Sequence, residues 1–306
     1  MKTSNLDVQH SNEKQVHANG LLINFDSFGE RSNPAVVLIM GLATQMIFWD
    51  EAFCRALASK GFWVVRFDNR DIGKSSWLNK DKIPKSWAFL MNVLFAKKLK
   101  ASYQLTDLAQ DTVGLMDALE IEKAHIVGAS MGGMIAQLIA IEAPQRVLSL
   151  TSIMSTTGDR SLPRASNTTA LQLLATPAKE KTAYLKQATK VWRILHGTHY
   201  PFEQERITHL LRCSRERGFN PDGISRQFAA ILSAADRTSA LRQLTKPTLV
   251  IHGDIDPLVP VECGVATANA IPQAKLKIYP GMGHTIPVEV ALDVINEIVE
   301  LAKSAN

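Results

Sequence analysis

Cysteine is scarce in this chain of 306 residues: only Cys54, Cys213 and Cys263 occur. They are odd in number and far apart, which excludes a disulfide framework and a clustered zinc-ligand pattern and fits a reducing compartment. Long apolar runs are also missing, and no stretch approaches the roughly 20 residues of a membrane-spanning helix. The start, Met1-Lys2-Thr3-Ser4-Asn5, is polar and carries no apolar signal segment. A cytoplasmic setting without an integral membrane segment is the expectation. Neither an arginine-rich motif nor an alternation of aromatic and basic residues occurs, so nucleic acid is not expected as a partner. The formal charge of +5 is mild, and Lys97, Lys98 and Lys100 read as a solvated face. There is no internal repeat and no low-complexity tract.

What the chain does contain is apolar material in ordinary globular proportion. Hydrophobic residues make up 46% and charged residues 21%, enough for a sizeable core. Residues 1–16 read as a polar leader. Leu21-Leu-Ile-Asn-Phe25 follows the tight turn Asn19-Gly20 and reads as one arm of a hairpin. Pro34 to Met40 is a continuous apolar run, as in a strand buried on both faces. A helix is predicted from about Asp50 to Lys60, stopped by Gly61. Phe62–Phe67 is the next strand, and it ends in the polar turn Asp68 to Ser76. The irregular stretch Trp77 to Ser102 reads as an active-site flap, with a dimer contact and a surface-binding helix as the alternatives. Thr106 is placed to cap a helix carrying Leu108, Thr112, Leu115 and Leu119 on one face. Strands follow near Ile126 and over Val147–Ile153.

From Gly158 to Leu244 only helical spacings occur: Leu185, Ala188, Trp192 and Leu195; Ile207, Leu210 and Leu211; Ile224, Phe228 and Ile231. Strands resume at Pro247–His252 and Ala274–Tyr279. A last helix begins at Pro287, with Val288, Leu292, Ile295 and Val299 sharing a face. Alternating strands and helices imply an α/β fold with a mostly parallel central sheet flanked by helices, and a helical cap inserted after the sixth strand. The expected division is a core of 17–157 and 245–306 and a cap of 158–244. Leu173, Trp192, Ile194, Leu195 and Phe228 are predicted mainly to form the interior of that cap.

Between the apolar pair Ile126-Val127 and the helical spacing of Met134, Ile135, Leu138 and Ile139 lies Gly128-Ala129-Ser130-Met131-Gly132. A G-x-S-x-G pattern in the order strand, tight turn, helix presents a serine at the sheet edge. Gly128 and Gly132 lack a Cβ, so neighbouring backbone can pass close. The helix N-terminus beside Ser130 favours a developing oxyanion. A serine hydroxyl needs a base within hydrogen-bond reach and an acid to orient that base. Among eight histidines, His10 and His17 lie in or beside the leader, and His196, His199 and His209 lie in the cap. His125 and His252 sit in buried strands and read as core residues. His284 follows a strand and the turn Pro280-Gly-Met-Gly283, which puts it at the same sheet edge as Ser130. For the acid, Asp254 and Asp256 both leave a buried strand at a suitable place, Asp159 is a third option, and residue chemistry leaves the three open.

Four motifs in order carry a family resemblance: D-N-R-D-I-G-K-S-S at 68–76, G-A-S-M-G-G at 128–133, H-G-D-I-D-P-L-V-P at 252–260 and G-M-G-H at 281–284. The chain resembles the α/β-hydrolase superfamily, in particular its bacterial serine esterase and methylesterase-like proteins, over about Leu21 to Ala302. The resemblance implies a triad of Ser130, Asp256 and His284. It also implies an oxyanion hole made by the backbone N–H groups of Leu42 and Met131, with no metal and no organic cofactor. Two departures stand out: Met40-Gly41 replaces a common His-Gly, and Asp71 stands where glycine is frequent. The expected activity is hydrolysis of a small to medium ester by a carboxylesterase-type enzyme with a small-molecule substrate. Lactonase, thioesterase, carbon–carbon bond hydrolase and aminopeptidase activities are the alternatives, and from another class a small-molecule sensor using the same pocket. The oligomeric state is not legible in the sequence.

Overall fold

The computed structural model describes residues 8–83, 99–165, 178 and 180–305. Eight strands form one sheet: β1 (Lys14–Ala18), β2 (Leu21–Phe28), β3 (Ala35–Ile39), β4 (Trp63–Phe67), β5 (Ala124–Ala129), β6 (Val147–Ile153), β7 (Thr248–Gly253) and β8 (Lys275–Tyr279). Their spatial order is β1-β2-β4-β3-β5-β6-β7-β8. β1 and β2 form an antiparallel hairpin, and β2 meets β4 antiparallel. Every pairing from β4 to β8 is parallel. Parallel strands need crossovers, and the helices that make them cover both faces.

The period of two along a strand explains how one sheet serves two cores. Val36 and Leu38 of β3 point into one cluster, with α1 (Glu51–Ala58) and α9 (Val288–Ser304). Val37 and Ile39 point into the other, with α2 (Leu105–Ala118) and α3 (Met131–Glu142). The chain winds outward from β3, with β4 on one side and β5 on the other. The carboxyl ends of β3 and β5 therefore meet at a topological switch point, where open α/β sheets leave a crevice.

Between β6 and β7 the chain is helical, with α4 (Lys181–His196), α5 (Gln204–Arg217), α6 (Pro221–Ser233) and the short α7 (Thr238–Leu241). This is the cap expected after the sixth strand. Two of the three long helices, α4 and α6, have a local reason to begin where they do. The Glu180 carboxylate accepts the N–H groups of Thr182 and Ala183, and the Asn220 side chain accepts that of Gly223 ahead of Pro221.

Several expectations need correction. β1 starts at Lys14, so the last residues of the polar leader are sheet. α2 begins at Leu105, not after Thr106, because the Asp107 carboxylate reaches back to the Gln104 N–H at 2.6 Å. In α9 the buried stripe runs through Val290, Val294, Ile295 and Ile298, while Leu292 is 49% exposed. Helix α8 (Val261–Ala270) was not expected. Its small residues, Gly264, Ala266 and Ala268, make no apolar stripe. Residues 84–98 of the expected flap, with Lys97 and Lys98, lie outside the described residues, as does Leu173.

Candidate active site

Ser130 closes β5 and opens α3 with φ 57° and ψ −119°, a backbone conformation that L-residues rarely adopt. The surroundings impose it. A Cβ on Gly132 would overlap the carbonyl of Ile39, so the turn is pressed against the end of β3. The Ser130 N–H donates to Ile153 O at 2.9 Å, and the Ser155 hydroxyl donates to Ser130 O at 2.8 Å. The turn is thus tied to the ends of the strands on both sides. Met131 is the first residue of α3, so its N–H has no intrahelical acceptor.

Ser130, His284 and Asp256 come together although 154 and 28 residues separate the bonded pairs. His284 Nε2 lies 3.0 Å from Ser130 Oγ, and His284 Nδ1 lies 2.6 Å from Asp256 Oδ2. The other carboxylate oxygen, Asp256 Oδ1, accepts the N–H groups of Leu258 and Val259, each at 2.8 Å. With Asp256 as the acceptor, the imidazole proton belongs on Nδ1, and Nε2 is free to accept from the Ser130 hydroxyl. Asp256 and His284 are buried, at 6% and 8% exposure, which strengthens these contacts relative to water.

The alternatives for the acid fall elsewhere. Asp254 accepts the Gly281 N–H at 2.6 Å and so braces the turn that precedes His284. Asp159 is exposed and closes a local turn, accepting from the backbone and hydroxyl of Ser161; both hydrogen bonds lower its pKa. The core histidines behave as such. His125 bonds to Ser149 Oγ through Nδ1 at 2.9 Å, and burial pushes its pKa down to about 4. His252 Nε2 donates to Val259 O at 2.8 Å, and burial lowers its pKa too. Among the described residues no group of three or more His, Cys, Asp or Glu is arranged to hold a metal ion. No helix among them is long and apolar enough to cross a membrane.

After β3 the chain turns through Gly41, Leu42 and Ala43. Gly41 runs directly against Ser130: an added Cβ would stand 3.1 Å from the Ser130 Cβ. Leu42 follows Gly41 directly in the chain.

Asp71 is a residue whose place sequence reasoning left open. It is fully buried at φ 70° and belongs to a cluster that joins core to cap. Arg226 of α6 donates to both its oxygens, at 2.8 and 2.7 Å, and the Tyr103 hydroxyl donates to Oδ2 at 2.9 Å. The hydrogen bond to Asp71 raises the Arg226 pKa, and burial, with Asp71 beside it, pushes Tyr103 up. A second pair lies nearby, with the half-buried Arg217 of α5 bonded to the buried Asp68 at 2.9 Å and also to Gln45. No local pattern announces either pair, since each partner lies 149 or 155 residues from the other.

The site can now be set against known proteins. Over 286 residues the chain is 27% identical to a rhodomycin D methylesterase of Streptomyces sp. (strain C5), covering 87% of this chain and 89% of that protein. Over 200 residues it is 30% identical to a 2-hydroxymuconate semialdehyde hydrolase of Pseudomonas sp. (strain CF600), covering 62% of this chain and 66% of the other. The crystal structure of an enol-lactonase from Burkholderia xenovorans LB400 superposes with a TM-score of 0.72 at 22% identity, over 95% of this chain and all of that one. The sequence model for the alpha/beta hydrolase fold matches residues 34–289, from the first core strand into the last helix, and the chain therefore belongs to the α/β-hydrolase family.

Proposed function

We propose that this α/β-fold hydrolase is a carboxylesterase that cleaves small to medium esters through an acyl-enzyme on Ser130. The observation that carries the reading is the hydrogen-bonded chain from Asp256 through His284 to Ser130, on a strained turn at a helix N-terminus. In the first step His284 Nε2 takes the Ser130 proton while Oγ attacks the ester carbonyl carbon. The tetrahedral oxyanion is bound by the N–H groups of Met131 and Leu42. The imidazolium then gives its proton to the leaving alkoxide, and an acyl-enzyme remains. Water repeats the sequence and releases the acid. Asp256 holds the imidazole in the productive tautomer and stabilises its charged form. Each oxyanion donor contributes about 3 kcal/mol if it behaves like donors measured elsewhere.

Two features of the relatives bear on the substrate. The methylesterase relative spans most of this chain, which favours an oxygen ester with a small alcohol. The semialdehyde hydrolase relative spans less of it and supports a carbon–carbon bond hydrolase as the second reading. We expect the cap to act as a separate helical unit of 158–244 that covers the substrate.

A fluorophosphonate should label the wild-type chain at Ser130, located by peptide mass spectrometry, and p-nitrophenyl acetate to octanoate should be turned over with a burst. Ser130→Ala should lose both, with turnover falling on the order of a millionfold. Ester hydrolysis retained by pure Ser130→Ala would refute the assignment. Stoichiometric binding without turnover by the wild type would instead indicate a sensor.

A further inference from the structure

We infer that Gln227, on cap helix α6, is a positioning residue for the oxyanion hole, acting through Ala43; the inference rests on the hydrolase mechanism proposed above. Gln227 is a neutral amide with no exposed surface. Its two ends are spent on two core loops. Oε1 accepts the Ala43 N–H at 3.1 Å, and Nε2 donates to Arg70 O at 3.0 Å. A backbone N–H requires an acceptor and a carbonyl a donor, so these contacts also fix which end of the amide faces which loop.

Ala43 adjoins Leu42, the proposed oxyanion donor that follows β3, and it holds φ 60°, a left-handed conformation unfavourable for alanine. The turn does little to hold itself. Its closing bond, Thr44 N–H to Gly41 O, is long at 3.4 Å, and the other local contact is the Thr44 hydroxyl donating to Leu42 O at 2.9 Å. Met40, before the turn, is held through its carbonyl by Asn69 at 3.0 Å. Gln227 is thus the external tie nearest Leu42 on its far side, ahead of the bonds that Gln45 makes to Ser214 O and Gly218 O. Without it, Ala43 relaxes toward negative φ and the Leu42 N–H rotates away from the space beside Ser130.

The tie is only as firm as the helix that carries it, and α6 is pinned at the neighbouring residue. Arg226 is 1% exposed and bonds both oxygens of Asp71, and the Asn220 amide donates to Asp71 O at 3.1 Å. Arg70 and Asp71, adjacent in the chain, are therefore bonded by adjacent residues of the cap helix. Helix α6 and the oxyanion loop are thus braced against each other, and the cap contributes to catalysis as well as to substrate choice.

A purely structural role would cost stability and leave each folded molecule fully active. Gln227→Met keeps the length of the side chain and removes both hydrogen bonds. With folded sites counted by fluorophosphonate titration, kcat on p-nitrophenyl butyrate should fall roughly 10- to 100-fold at nearly constant KM, the range expected when a catalytic group is displaced by a fraction of an ångström. Affinity for an alkylboronic acid, whose tetrahedral adduct places an oxygen in the oxyanion hole, should fall in proportion. Gln227→Glu keeps the acceptor for Ala43 and should recover most of that loss. If Gln227→Met does not fold, Gln227→Asn, too short to span both loops, should show the same split between kcat and KM. Wild-type kcat in either folded variant, or a change confined to KM, overturns the inference while leaving the esterase reading intact. Absence of turnover and labelling in the wild type overturns both.

Discussion

On one side of Ser130 the groups of the site are held mostly by backbone; on the other they are held by side chains that bridge core and cap. Asp256 is fixed by the N–H groups of Leu258 and Val259, and the His284 N–H donates to Leu195 O at the end of α4 at 2.6 Å. Across the site, the 41–45 loop is fixed by Gln227 and by Gln45, whose amide donates to Ser214 O and Gly218 O. Backbone contacts survive most substitutions, because any residue supplies the same N–H and C=O. Side-chain contacts vanish with one codon. In the proposed mechanism the acid–base half of the site is therefore robust by construction, and the proposed oxyanion half is where sequence change in the cap would reach the chemistry.

Short of removing Ser130 itself, the largest effect should come from breaking the robust side at the side-chain link between Asp256 and His284. Asp256→Asn keeps the size and the two backbone contacts but presents the wrong partner to Nδ1–H. A drop in kcat of about 10⁴ is expected, the size seen when an equivalent substitution traps the wrong histidine tautomer. The check is steady-state kinetics with circular dichroism to establish that the fold is unchanged. A loss below tenfold would remove Asp256 from the proposed mechanism and reopen Asp254.

Next in size is the side held by the cap. Asp71→Ala leaves Arg226 buried without a counter-charge, which should cost about 3–5 kcal/mol in urea unfolding. The double variant Asp71→Ala, Arg226→Met should recover much of that, since replacing both members of a buried pair by apolar groups is often near neutral. If the single variant is as stable as wild type, the core–cap cluster is not a brace, and the contrast between the two sides loses its basis.

That contrast also marks what can be read from the chain alone. The positions of Ser130 and His284 are announced by local motifs at the ends of apolar strands, because a strained turn needs glycines and a loop leaving a strand needs its own punctuation; Asp256 is set apart from Asp254 and Asp159 only by the family resemblance. The core strands are legible for a similar reason: β-branched runs such as Val36-Val37-Leu38-Ile39 are buried on both faces. Asp71 and Gln227 have no such signal. Their partners are set by how the cap docks, 155 residues and more away, and no periodicity carries that information. Helix α8 was missed because its packing uses small residues, with Gly264 against the His252 ring. The face of α9 was misread because Leu292 is apolar and exposed, and composition cannot tell an exposed leucine from a buried one.

The smallest effect expected separates the sides from the floor beneath them. His125 lies in β5, the strand that carries Ser130, and burial pushes its pKa down to about 4 from an ordinary 6.5. In the unfolded chain the same histidine titrates near its ordinary value, so between those two pH values the unfolded state binds the extra proton. Stability is then fully present above about pH 6.5 and is lost as the pH falls toward 4, by on the order of 3 kcal/mol. The lowered pKa of His252 acts in the same direction. Urea unfolding at pH 7 and pH 4.5 should show this slope, and His125→Asn should flatten it. Loss of the floor removes both sides of the site together. Gln227→Met, by contrast, should lower activity at a pH where the folded fraction is complete. If the His125→Asn slope matches wild type, burial of that imidazole does not govern acid stability, and the acid-labile element must be sought in His252 or in carboxylates such as Glu13, whose pKa is lowered, against the effect of burial, by its hydrogen bonds to Arg217 and Lys74.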